Sequence, residues 1–141
     1  MSIRTLIAAS WGNTAHRDPA HAAPLTLAFV GDTVYDLFVR TLLLDTMDAT
    51  PHALHMAAAK YVCAAGQAAA FRRIEPELTE AEQAVYKRGR NAHSGTLPKN
   101  ASVADYHTAS GFEALLGFLY LSGQDERMTR LMELALRQEE K

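Results

Sequence analysis

Cysteine is almost missing from this chain of 141 residues, and Cys63 stands alone. A single thiol excludes a disulfide scaffold and any zinc site built on cysteine pairs. Long apolar runs are missing too. No stretch approaches the roughly 18–20 uninterrupted apolar residues of a membrane helix. The first residues carry only Leu6, Ile7, Ala8 and Ala9 as an apolar run. That is shorter than the core of about 7–15 residues that a secretory signal needs. Together these features lead us to expect a cytoplasmic protein without membrane association. Charge of one sign is also scarce. Against 14 Lys and Arg stand 16 Asp and Glu, a net charge of −2, and such a balance speaks at first against a nucleic-acid partner. What is abundant is apolar residue content, 48% of the chain, which excludes disorder throughout and suits one globular domain.

The five prolines divide the sequence, falling at positions 19, 24, 51, 76 and 98. Proline is tolerated in the first turn of a helix and costly inside one. Each stretch between them therefore reads as helical. Residues 1–23 read as a short helix or a loosely ordered tail, followed by one domain over 24–141. Residues 25–44 carry apolar side chains at helical spacing, with Ala28, Gly31, Asp32, Tyr35, Asp36 and Val39 on one face. Residues 51–74 read as one alanine-rich helix, with Cys63 buried among the alanines. Residues 80–91 form a third, with Thr79 and Glu82 spaced as a capping box. Residues 91–100 contain Gly95 and Pro98 and read as a loop. Residues 106–121 are a fourth helix, ended by Ser122 and Gly123, and residues 125–138 are the last. No segment alternates as a strand. The fold class is all-α, a bundle of five or more helices.

Three features carry possible chemistry. Gly31-Asp32 interrupts an apolar helix. A glycine there costs about 1 kcal/mol relative to alanine and is best explained by close approach of another backbone. Asp32 suits a paired structural aspartate as well as a metal ligand. Glu113 lies in a second apolar helix, four residues before Gly117. If the two helices cross at their glycines, Asp32 and Glu113 meet. Two like charges held together repel unless a cation intervenes, and carboxylate oxygens suit a hard divalent ion, most simply Mg2+. Asp36, one turn on from Asp32, fits a solvent-facing carboxylate better than a third ligand. His52 and His55 lack a third partner and suit the surface.

The third feature is where the charge is kept. Residues 83–104 hold Lys87, Arg88, Arg90 and Lys99 and not one acid, so the remaining chain holds six more acids than bases. These cations are interleaved with Asn91, Ser94, Thr96, Asn100 and glycines. Short polar groups and exposed backbone N–H groups suit phosphate oxygens, which favours phosphate or nucleic-acid binding over a merely solvated face.

The order of these features resembles the Mini-ribonuclease III family, short bacterial relatives of ribonuclease III without its double-stranded-RNA-binding domain. The matching stretches are residues 27–40 around Gly31-Asp32, Leu54-His55, Tyr61-Val62 and Gln67-Ala68. They continue through Lys87-Arg88-Gly89-Arg90-Asn91 and residues 94–101 to Phe112-Glu113-Ala114-Leu115-Leu116-Gly117 and Tyr120-Leu121. The resemblance implies a ribonuclease III-like helical domain working as a homodimer. It implies Mg2+-dependent cleavage of double-stranded RNA, with precursor 23S ribosomal RNA as substrate. Asp32 and Glu113 match the family's catalytic, metal-binding carboxylates. Lys87, Arg88, Arg90, Asn91, Ser94, Lys99 and Asn100 match a segment expected to grip RNA. An accessory large-subunit ribosomal protein stays open.

The chain also departs from wider patterns. Where full-length ribonuclease III enzymes place further carboxylates, it has Ala28 and Ser110, as the reduced set of the smaller family implies. Asp36, Met56, Cys63 and His93 stand where family members often carry Glu, Lys, Ser and Lys. The reduced set keeps an alternative alive, a catalytically weak or inactive double-stranded RNA-binding protein on the same fold. A helical nucleotide phosphohydrolase is disfavoured, since no His-Asp dipeptide occurs. A purely structural dimer would leave the basic loop and both carboxylates unexplained.

Overall fold

The computed structural model describes residues 2–11, 18–92 and 102–137. Among them are seven α-helices and no strand: α1 Ile3–Ser10, α2 Pro24–Thr46, α3 Pro51–Val62, α4 Ala64–Ile74, α5 Glu80–Asn91, α6 Val103–Leu121 and α7 Asp125–Ala135. Short 3-10 turns occupy Pro19–His21 and Glu75–Glu77. The all-α class expected from the sequence is the observed one.

Local chemistry sets most boundaries. Pro24 and Pro51 open α2 and α3 in their first turns. Thr50 and Ser102 cap α3 and α6, accepting from the amides of Ala53 and Asp105. At α5 the capping box is complete. Thr79 Oγ1 accepts from the Glu82 amide at 3.1 Å, and Glu82 accepts from the Thr79 amide at 2.9 Å. Each cap satisfies amides that the helix itself cannot. Gly123, at φ 74°, turns the chain after α6.

The stretch 51–74 corrects the expectation of one helix. It is two, broken at Cys63, whose backbone is extended at φ −68° and ψ 162°. Cys63 is exposed rather than buried, and its Sγ accepts from the Gly66 amide at 3.4 Å. A thiol in the role of serine is an N-cap that composition alone does not announce. Tyr35 closes the break from below, its hydroxyl donating to the Tyr61 carbonyl at 2.8 Å. Burial pushes that hydroxyl's pKa up, so it remains a donor. Gln67 donates from Nε2 to the Val62 carbonyl. α6 starts three residues earlier than expected, at Val103, and α7 ends at Ala135.

The core surrounds α6, which packs against α2, α4, α5 and α7. Phe112, Leu115, Leu116 and Leu119 are fully buried there, with Tyr35, Phe71, Ile74, Leu131 and Met132 around them. α2 and α6 meet at their glycines. A Cβ on Gly31 would overlap the Glu113 carbonyl, and one on Gly117 would overlap the Leu27 carbonyl. α5 meets α6 at a second crossing, where a Cβ on Gly89 would stand 2.6 Å from Ala114 Cβ and 2.9 Å from Gly111 Cα. The far end of α5 is tied to α7. Arg127 grips both carboxylate oxygens of Glu82 at 2.8 Å and donates to the Glu77 carbonyl at 2.7 Å. The same grip holds the Glu82 carboxyl below the usual carboxylate range.

Backbone lies in the way at Gly31 and Gly117, and it cannot rotate aside. Gly117→Ala should therefore cost about 3 kcal/mol or more. Gly123→Ala, with open space but a left-handed backbone, should cost about 1–2 kcal/mol. Urea unfolding of both variants checks the order. Equal losses would show that the glycine crossing is not tight.

Candidate active site

Asp32 follows Gly31 on α2, and Glu113 supplies the carbonyl that Gly31 packs against. The crossing therefore sets one carboxylate from each helix side by side. Asp32 is exposed, Glu113 is half-buried, and the two share a side-chain hydrogen bond. Burial, then the charge of Asp32 and that hydrogen bond, pushes the Glu113 pKa from an ordinary 4.5 up to about 8. Among the described residues neither carboxylate is ion-paired with a lysine, arginine or histidine. At neutral pH Glu113 therefore keeps its proton, which a bound cation would displace.

Among the described residues no group of three or more His, Cys, Asp or Glu is placed to hold a metal ion. Asp36 faces elsewhere, accepting from Arg40 Nε at 3.0 and 3.1 Å. Ala28 packs into a small cluster with Leu27, Val85 and Ala114. Ser110 is buried where α5 crosses. His52 and His55 are exposed on α3. Two carboxylates, one open to solvent, fit a hard cation that keeps most of its own waters, the habit of Mg2+.

The basic side chains sit on the last turns of α5. Gly89 crosses α6 at Gly111 and Ala114, the level of α6 that carries Glu113. Lys87, Arg88, Arg90 and Asn91 are all exposed there. Arg88 is partly occupied, donating to the Ala22 carbonyl just before α2 at 3.2 Å. Arg90 lies over the Tyr86 ring, its Cζ 5.8 Å from the centroid. Ser94, Lys99 and Asn100, with the loop expected over residues 91–100, lie outside the described residues beyond Ala92.

Two contributors were not apparent from sequence reasoning. Tyr86 had a signal, its i, i+4 spacing to Arg90. The Glu82–Arg127 ion pair spans 45 residues and had none. A groove of about 500 Å3 between α2 and α7, floored by Phe38, Leu42, Met132 and Leu136, contains neither carboxylate.

Comparison with known proteins gives consistent matches. Residues 25–124 match the ribonuclease III domain family. A Mini-ribonuclease 3 from Symbiobacterium thermophilum is 46% identical over 118 residues, covering 84% of this chain and 91% of that protein. One from Brevibacillus brevis is 47% identical over 119 residues, covering 84% and 89%. Another, from Enterococcus faecalis, is 41% identical and covers 86% and 93%. The crystal structure of a protein from Fusobacterium nucleatum matches with a TM-score of 0.75 at 25% identity, over 85% of this chain and 96% of that one.

The Glu113 shift has a stability consequence. A carboxyl raised from 4.5 to about 8 binds more protons folded than unfolded between those values. Stability of the metal-free protein should therefore fall as pH rises through that window and level off above it. Glu113→Gln should flatten this slope and melt higher than the parent at pH 8.5 in EDTA. An identical pH profile for the two proteins would contradict the desolvated pair.

Proposed function

Because the chain belongs to the Mini-ribonuclease 3 family and is thus an endoribonuclease, we propose that it cleaves double-stranded RNA with Mg2+ held by Asp32 and Glu113, maturing precursor 23S ribosomal RNA. The observation that carries the site is the meeting of these two acids at the Gly31–Gly117 crossing, without a basic partner among the described residues.

The chain's own groups have defined tasks. Glu113 yields its proton to bind, and its backbone carbonyl, packed on Gly31, keeps it in place. Asp32, exposed on the neighbouring helix, offers the second set of oxygens from the solvent side. Bound there, Mg2+ would lower the pKa of an attacking water and offset the charge growing on the phosphate. Asp32 and Glu113 would hold the ion with few protein ligands, leaving room for phosphate oxygens and water. Lys87, Arg88 and Arg90, with Asn91, hold neighbouring phosphates, joined by Ser94, Lys99 and Asn100. A-form shape and 2′-hydroxyls rather than base edges then select the substrate. The products carry 5′-phosphate and 3′-hydroxyl ends.

A duplex has two strands, and a two-fold dimer provides one site for each. The exposed side of α2 supports that arrangement. Leu25, Phe29, Leu37 and Leu44 follow one another at helical spacing, and Phe29 is 80% exposed. Asp32 lies at the edge of this stripe, so a second copy covering it would border the carboxylates. No helix among the described residues is long and apolar enough to cross a membrane, so the stripe is not part of a spanning helix.

Asp32→Asn and Glu113→Gln should each lower Mg2+-dependent cleavage of a long RNA duplex by at least about a thousandfold while keeping the fold. Cleavage that survives either change would reject the site, and end-mapping on precursor 23S RNA tests the substrate. Phe29→Asp should sediment as a monomer at micromolar concentration. A dimer that persists would place the second copy elsewhere.

A further inference from the structure

Arg90 is held before any RNA arrives. Its guanidinium stands over the ring of Tyr86, one turn back on the same helix, with 5.8 Å from Cζ to the centroid. That ring is itself fixed. It stacks on Phe71 at 3.9 Å between centroids and 12° between planes. Its edge fills the space opposite Gly111, where a Cβ would come within 2.6 Å of Cδ1 and Cε1. Phe71 is buried in the main core and touches Phe112, with 5.9 Å between centroids. A chain of rings therefore runs from Phe112, the residue before Glu113, out to a surface arginine. Tyr86 is 7% exposed, its ring packed inwards against α4 and α6, while Arg90 is open to solvent. Among the described residues Arg90 is in no ion pair. It also donates a long hydrogen bond from Nε to Asn91 Oδ1 at 3.4 Å.

We propose that Tyr86 is a positioning residue for RNA: the core-anchored ring holds the Arg90 guanidinium at the surface, so that a backbone phosphate meets a pre-set cation. This rests on Arg90 being a phosphate contact. The physical reason is entropic. A free arginine loses its rotamers when it grips a phosphate, whereas a cation already resting on an aromatic face has surrendered part of that freedom. The ring adds no phosphate contact of its own. Its loss should weaken binding without changing the number of counterions released.

The full-length protein is titrated with a short RNA duplex in EDTA over a range of salt concentrations. Tyr86→Leu should raise Kd roughly threefold at every salt concentration, leaving the slope against log salt unchanged. Tyr86→Phe, which keeps the ring and its stack, should bind as the parent does. Arg90→Ala should raise Kd and reduce the slope by about one. In the Arg90→Ala background, Tyr86→Leu should have no further effect. With Mg2+ added, Tyr86→Leu should raise KM and leave kcat alone. The free protein gives an independent measurement, since the Arg90 side-chain protons should show a ring-current shift that Tyr86→Phe keeps and Tyr86→Met removes. A Tyr86→Leu effect that adds fully to Arg90→Ala, or one that Phe fails to rescue, would overturn the proposal. An Arg90→Ala variant with unchanged Kd and slope would instead remove Arg90 from the RNA interface, and Tyr86's role with it.

Discussion

Everything in this molecule hangs on two backbones touching. At Gly31 and Gly117 there is no room for a single Cβ, because each glycine faces a carbonyl of the opposite helix. Such proximity is available only where both partners give up side chains, and a helix interior pays about 1 kcal/mol for each glycine. The return is geometric. Asp32 follows one glycine, and Glu113 supplies the carbonyl that the same glycine contacts. The crossing that locks α2 to α6 also sets the distance between the acids.

That proximity creates an electrostatic problem which the described residues leave unsolved. Glu113 is half-buried next to another carboxyl, and both effects drive it towards the neutral form, with a pKa of about 8. A structural acid would have been given a basic partner, as Glu82 was given Arg127. Glu82 and Glu113 are both drawn out of solvent on neighbouring helices, yet their pKa values move in opposite directions. The difference is the presence of a guanidinium beside one and a second acid beside the other. An acid pair kept in that condition is a stability cost that a divalent cation would offset.

How much of this was legible in the sequence follows from how local each cause is. Thr79 and Glu82 lie three residues apart, so the capping box over α5 could be read directly and is found. Gly31 and Gly117 are odd residues in apolar helices, which is a local clue to a distant contact, and the crossing is there. The break at Cys63 was not legible, because a thiol cap looks the same in sequence as a buried small residue. Its support, Tyr35 reaching the Tyr61 carbonyl, comes from 26 residues away. The Glu82–Arg127 pair fails to show for the same reason: surface charges do not announce their partners across 45 residues.

The small net charge acquires a different meaning once the fold is known. A chain with more acids than bases can still present a cationic surface if the cations are collected on one rigid element. α5 is such an element, held by glycine packing against Gly111 at one end and by the bidentate Arg127–Glu82 pair at the other. Lys87, Arg88 and Arg90 crowd its last turns, where cations also favour the negative end of the helix dipole. Clustered cations repel one another, and a flexible segment would relieve that repulsion by spreading them. A helix clamped at both ends cannot. It keeps the positive potential concentrated at the level of α6 that carries Glu113, so that in the proposed function a polyanion drawn to the bases would be brought towards the carboxylates.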